Sequence, residues 1–347
     1  MKKNTLKLFL TAMALLSMMV LAGCGLGKSE APKDDKAAAG KPIELKLAYQ
    51  LPAEHYLSKN IELFAKNVNE RSKGQIKITT YPAGQLYNDK SMNDAIMNGG
   101  LDIGLNSTAM WTTVVPELAV LDVPFLMTTY DSVTRAMTGD FGKTLSAELE
   151  KKGVHPLIWA DYGYIQVCNN KRPLKKPEDF KGLQIRGYGQ IPAETIKALG
   201  ASPVTMGSSE VYMGIQRGTI DGQVSGTTAT FNRKIYEVAK YLTMTNHAFC
   251  EFVVAMNGKT YEKLSDDQRK ILSQCAEEAR AKIQSETKSA DLKAMEDLAK
   301  AGMEVYQVPA DEVALWQEAT RQVRDDFIKN NPKLGKTLVD QCLAANK

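Results

Sequence analysis

The chain has 347 residues, of which 44% are hydrophobic and 24% charged, which is long enough for two lobes and excludes a disordered or fibrous protein. Its 44 Lys and Arg against 40 Asp and Glu leave a formal charge of +4, which falls to about +1 without the three lysines of the first 23 residues, and a near-neutral chain gives no argument for nucleic acid. There is no P-loop, G-x-S-x-G, H-E-x-x-H or dinucleotide glycine motif, and the three histidines are scattered.

Lys2, Lys3 and Lys7 form a basic start. Leu8 to Leu21 is apolar but too short for a comfortable membrane span, and it ends in Leu21-Ala22-Gly23-Cys24. This pattern is that of a lipoprotein signal peptide over residues 1–23, with lipid such as palmitate expected on Cys24 as a membrane anchor. A plain cleaved signal or an anchor helix is the competing reading. Residues 24–42 are polar and read as a tether.

The next elements alternate. Ile43–Gln50 reads as a strand, His55–Arg71 as an amphipathic helix, Gln75–Tyr81 as a strand, Ser91–Asn98 as a short helix and Leu101–Asn106 as a strand. Val115–Thr128 is a loop followed by apolar core, and Trp111 before it either lines a crevice or packs inside. Val154–Asn169 is a crossover strand. A second alternation follows: strand Leu183–Arg186, a helix with Pro192 in its first turn and Gly200 closing it, strand Pro203–Thr205, a helix capped by Ser208 or Ser209, and strand Thr219–Val224. The two alternations share I-x-x-G-x-[LI]-D, at Ile96–Asp102 and Ile215–Asp221. Two similar α/β lobes around a crevice form the plan of a bilobed binding protein that closes on its ligand. Ala248–Asn257 is a β-rich return. Ser265 and Gln268 form a capping box for an uninterrupted helix over 266–300, for which a coiled coil is the competing reading, although no heptad is sustained. Asp311–Ile328 is a further amphipathic helix, and a short tail ends the chain.

Arg186 falls at the C-terminal end of its strand, the edge at which open α/β sheets bind ligands. Its planar fork suits a carboxylate, with a surface or ion-paired arginine as the alternative.

Phe180-Lys181-Gly182-Leu183-Gln184-Ile185-Arg186, Leu199-Gly200-Ala201-Ser202-Pro203, Glu210-Val211-Tyr212 and Asp221-Gly222-Gln223 occur in this order. The set resembles the solute receptors of TRAP transporters (tripartite ATP-independent periplasmic transporters, DctP type, family 7 extracellular solute-binding proteins). The similarity runs from about Ile43 to Ala310. The resemblance implies an α/β, two-lobed periplasmic-binding-protein type fold with a long helix bridging the lobes. It implies that Arg186 binds the carboxylate of a small organic acid, and that a membrane permease receives it. The implied lobes are 43–164 with 252–290 and 165–251 with 291–330, followed by a tail over 331–347. The candidate ligand-binding set is Arg186, Gln166, Ser225, Ser208, Tyr49, Ser107, Trp111 and Tyr188. Ile165 and Gln166 stand where acidic-sugar receptors of the family carry arginine, which argues against a sialic-acid-like ligand and resembles the oxo-acid receptors. Val224-Ser225-Gly226 stands where the family commonly continues with glutamate, so the oxygen ligand that some members use for a cation is missing. Neither metal nor cofactor is expected, nor is catalysis. His247 matches a family histidine with a structural role.

Cys168, Cys250, Cys275 and Cys342 allow three disulfide pairings in an extracytoplasmic compartment, Cys168–Cys250 with Cys275–Cys342 among them, and free buried thiols are equally open. The rival functions are an exported hydrolase, a ligand-binding sensor and a structural lipoprotein.

Overall fold

The computed structural model describes residues 41–347. The proposed leader, Cys24 and most of the tether lie outside the described residues. In chain order the elements are β1 (Ile43–Tyr49), α1 (Tyr56–Arg71), β2 (Ile76–Tyr81), α2 (Met92–Met97), β3 (Ile103–Ser107), α3 (Tyr130–Thr138), α4 (Asp140–Glu150) and β4 (Val154–Asn169). Then come β5 (Gln184–Gly187), α5 (Gln190–Ala198), β6 (Ser202–Thr205), α6 (Val211–Gln216), β7 (Gly222–Gly226), α7 (Thr227–Asn232), β8 (Tyr241–Met244) and β9 (Phe249–Asn257). The chain closes with α8 (Gly258–Glu262), α9 (Asp266–Lys300), β10 (Glu304–Gln307), α10 (Val313–Asn330) and α11 (Gly335–Ala344).

The strands follow the order β2-β1-β3-β9-β4-β7-β5-β6, with β8 on β4 and β10 on β8. Each end of this path is parallel, β2-β1-β3 at one and β7-β5-β6 at the other. The antiparallel strands β9 and β4 join them. Long β4 changes partner midway: it pairs with β9 up to Tyr164 and with β7 from Ile165 onward. The change follows a register shift between Asp161 and Gly163, and Gly163 has φ +109. A side chain is barred there twice over, by that backbone angle and by the Asp291 carboxylate against which a Cβ would collide. The two parallel halves are thus joined in one continuous sheet.

The repeated motif is a structural repeat. In both copies a short helix ends and the chain turns at a left-handed glycine, Gly99 (φ 76) or Gly218 (φ 73). The aspartate three residues on then accepts a backbone N–H from the neighbouring parallel strand. Asp102 Oδ2 takes Lys46 N at 2.9 Å and Asp221 Oδ2 takes Gln184 N at 2.8 Å.

Helix α9 runs unbroken for 35 residues, about 50 Å at 1.5 Å per residue. Ser265 Oγ accepts from Gln268 N while Gln268 Oε1 accepts from Ser265 N, the reciprocal cap read from the sequence. Its early turns hold α1 of the first half through Arg71–Glu278 and Asn60–Glu286. Further on, Asp291 accepts from Thr227 of α7, from Tyr130 of α3 and from the backbone N–H of Tyr164. It thus bridges both halves and braces the point where β4 changes partner. Burial pushes the Asp291 carboxyl up to about 7.

Several expectations need correction. Ser208 is not a helix cap but the first residue of a 3₁₀ turn over Ser208–Glu210, and Glu210 Oε2 instead accepts the Gly207 N–H at 2.6 Å. The segment taken for a tail carries α11, whose Leu338, Val339 and Cys342 are buried beside Phe327 of α10. Helices α3 and α4 and strand β10 add to the elements expected from the sequence pattern. Cys168, Cys250, Cys275 and Cys342 are all buried free thiols, so no disulfide pairing applies among the described residues.

Candidate functional site

A cavity of about 380 Å³, its opening to solvent included, lies between the C-terminal ends of the two parallel strand sets. Gln50 follows β1, Asn106 and Ser107 end β3, Arg186 nears the end of β5 and Ser225 nears the end of β7, and all five line it. Loops supply Asp89 and Ser208. Tyr162, Ile165, Phe252 and Met110 give it an apolar wall. The Tyr162 and Phe252 rings stack at 4.7 Å between centroids.

Arg186 is 4% exposed, so its charge stands inside the fold. Its Nε donates to Met206 O at 3.1 Å, which fixes the plane of the fork. Its two terminal nitrogens have no protein acceptor among the described residues, which leaves the bidentate edge free. Burial, then the neighbouring Arg233 guanidinium, lowers its pKa to about 10, with Asp89 opposing; it remains charged at neutral pH. Tyr188 lies beside it, ring centroid 5.8 Å from Cζ, and its hydroxyl donates to Asp122 Oδ1 at 2.8 Å. Asp122 is buried and its Oδ2 has no partner; burial pushes this carboxyl up to about 7.

Further bonds cross the crevice. Ser208 N donates to Asp89 Oδ2 at 3.1 Å and Ser208 Oγ to Gln50 Oε1 at 3.1 Å. Arg233, just after α7, donates from Nη2 to Gln50 Oε1 and, at 3.2 Å, to Ser208 Oγ. Asp89 is itself held, its backbone carbonyl accepting from Asn106 Nδ2 at 2.8 Å. Burial lowers the Arg233 pKa. His55 is buried and stacked on Tyr162 at 5.5 Å; burial, then Arg233, lowers its pKa to about 3, so it is neutral. His247 is likewise buried with a pKa lowered to about 4, and it bonds Thr245 Oγ1.

Of the eight candidate residues, Arg186, Ser107, Ser208, Ser225 and Tyr188 meet at this cavity. Three do not. Gln166 has its amide engaged by Asn246, donating to Oδ1 and accepting from N at 3.0 Å, and supports the left-handed backbone of Asn246. Tyr49 is buried, with its hydroxyl on Glu62 Oε1 at 2.5 Å; the residue after it, Gln50, reaches the cavity instead. Trp111 is fully buried in a core cluster, which decides between its two readings in favour of packing. The sequence reading missed Gln50, Asp89, Asn106 and Arg233. The strand-end rule that selects Arg186 also selects Gln50 and Asn106. No comparable signal marked Asp89 or Arg233.

These features define a ligand-binding protein with a cationic crevice at the strand ends of two joined α/β halves. Residues 47–331 match the bacterial extracellular solute-binding proteins of family 7, DctP, and the chain belongs to this family. The 2,3-diketo-L-gulonate-binding periplasmic protein YiaO of Escherichia coli K12 is 31% identical over 288 residues, 82% of this chain and 86% of that protein. The C4-dicarboxylate-binding periplasmic protein DctP of Rhodobacter capsulatus is 29% identical over 293 residues, 84% of this chain and 88% of that one. Among solved structures, a TRAP periplasmic solute binding protein from Shewanella oneidensis with bound succinate has a TM-score of 0.84 at 26% identity, covering 88% of this chain and 100% of its own. One from Sulfitobacter with bound β-D-galacturonate has a TM-score of 0.83 at 24% identity, covering 87% and 99%. The two-lobed periplasmic-binding-protein fold expected from the sequence is therefore the fold of this chain.

Proposed function

We propose that the chain is the extracytoplasmic substrate-binding subunit of a TRAP transporter. It captures a small organic acid between two lobes and delivers it to a membrane permease. The observation that carries the ligand class is Arg186, a buried cation with its bidentate edge free at a small cavity. A desolvated guanidinium without a carboxylate partner favours an anion that restores the charge. Relatives of this chain bear the names of acid-binding proteins, which supports the same reading.

Closure takes place about the stretch where β4 changes partner, with lobes 43–164 plus 252–290 and 165–251 plus 291–330. Lipid on Cys24 tethers the mature chain to a membrane, and the segment before Lys41 gives it reach. The protein binds and releases its ligand without catalysis.

The test is a thermal-unfolding screen of the soluble domain, refolded to remove carried-over ligand, with oxo-acids, sugar acids, dicarboxylates and aromatic acids, each beside its amide or alcohol. A ligand at about 100 times its Kd adds roughly 2.7 kcal/mol. An acid that raises Tm while its neutral partner does not supports the reading. Equal shifts from neutral partners overturn it.

A further inference from the structure

We propose that Arg233 is a second ligand-binding cation, and that the site takes an acid with a second oxygen acceptor at the end remote from its carboxylate. This rests on the acid-receptor reading above and extends it to the far end of the ligand.

The case begins with the bonds Arg233 makes. Among the described residues, all its side-chain hydrogen bonds run through Nη2, to Gln50 oxygens and to Ser208 Oγ. Both partners are neutral. Gln50 Oε1 is shared, because Ser208 Oγ donates to it as well. Nε and Nη1 have no protein acceptor among the described residues, although the side chain lines the cavity. An arginine with a purely structural role in such a place is expected to meet a carboxylate. Asp89, the carboxylate that lines the cavity, makes no ion pair with it among the described residues and already accepts from Ser208 N.

The second strand of the argument is charge. Arg186 and Arg233 line the same cavity, where burial and then the Arg233 guanidinium lower the Arg186 pKa, and among the described residues Asp89 is the one carboxylate lining it. Two guanidiniums with free N–H groups, set in one cavity, address two groups of one ligand. Between them, the Tyr162 and Phe252 rings and Ile165 offer an apolar wall for the carbon chain. The ligand is thus an acid anchored by its carboxylate at Arg186, with a hydroxyl, oxo or carboxylate oxygen at Arg233 and Gln50. Arg233 also spans the crevice to Gln50, so the same contact ties ligand recognition to closure.

The experiment is isothermal titration of the soluble domain with butyrate, γ-hydroxybutyrate and succinate, and with their amides. Wild type is compared with Arg233→Gln, Arg233→Lys and Arg186→Gln, each checked for a native melt. Wild type should bind an oxygen-terminated acid at least about tenfold more tightly than butyrate, the value of one hydrogen bond to a charged group. Arg233→Gln should remove that gap, weakening the oxygen-terminated acids at least about tenfold more than butyrate, and Arg233→Lys should restore part of it. The tighter of the two oxygen-terminated acids names the distal group. A uniform loss for all three acids in Arg233→Gln, or a gap that survives it, overturns the assignment. Failure of the underlying reading looks different: amides bind as well as acids, no acid binds, or Arg186→Gln changes nothing. If Arg233→Gln does not fold, Arg233→Lys carries the test, and no change in its gap counts against the proposal.

Discussion

The two halves of the sheet are built alike and charged differently. Each has three parallel strands, a short helix ending at a left-handed glycine, and an aspartate that pins the neighbouring strand. Yet the first half brings neutral Gln50, Asn106 and Ser107 to the cavity together with Asp89, while the second brings Arg186 and Arg233. The shared parts set the distance between strand ends. The parts that differ choose the ligand. On the function proposed above, affinity for an acid resides in the second half, and the first half supplies a polar surface facing it.

The largest break in this comparison is Arg186→Gln. Removing one member of a buried charge pair costs about 2–5 kcal/mol, so acid affinity should fall by about 100-fold or more in titration calorimetry. Gln50→Ala, the counterpart in the first half, should cost about tenfold. Similar losses from both would show that the charge asymmetry does not set affinity.

Gly163→Ala tests the junction of the halves. It forces a side chain into a left-handed position and against the Asp291 carboxylate. A loss of about 3 kcal/mol in urea unfolding is expected.

Asp122, which belongs to the first half but holds Tyr188 of the second, predicts a pH dependence. Its folded-state pKa of about 7 lies above the ordinary carboxyl value, so the native state holds a proton that the unfolded chain has released. Its contribution is complete below about pH 4 and is lost as pH rises through 7. Asp122→Asn should flatten the stability profile between those limits, measured as the difference from wild type. An unchanged difference across the window would assign the slope elsewhere.

The smallest effect sharpens the comparison most. Asp102→Ala and Asp221→Ala each remove one charge-assisted backbone bond, and Asp221 also meets Lys171 Nζ at 3.3 Å, so in a Lys171→Ala background each should cost about 1 kcal/mol and the two should agree within about 0.5 kcal/mol. A large inequality would mean that the repeat is one of sequence only.

Much of the fold was legible because its signals are local. The capping box at Ser265 and Gln268 and the absence of Gly or Pro as far as Gly302 marked α9 to the residue. Glycines after α2 and α6 marked the repeat. Helix α11 was not legible: Leu338, Val339 and Cys342 show too few turns of periodicity to stand out from a polar tail, and only packing on Phe327 reveals them. Within the site, residues at strand ends follow from topology, so Arg186, Ser107 and Ser225 were within reach. Tyr49 and Gln166 failed because adjacent positions decide which side chain faces the cavity, and that depends on partners distant in sequence, Glu62 and Asn246. Arg233 sits past the end of a six-residue helix, where only the folded chain brings it beside Gln50.

The four unpaired cysteines have a practical corollary for handling and export. None of the described residues depends on an oxidant to reach its native arrangement, so refolding in dithiothreitol and refolding in air should give the same melt. The thiols also serve as an internal gauge of integrity. Cys168, Cys250, Cys275 and Cys342 are each buried, so a soluble thiol reagent should titrate none of them in the native protein and all of them in urea. Intermediate labelling of Cys250, whose sulfur lines the cavity, would report opening of the crevice as distinct from unfolding of the chain.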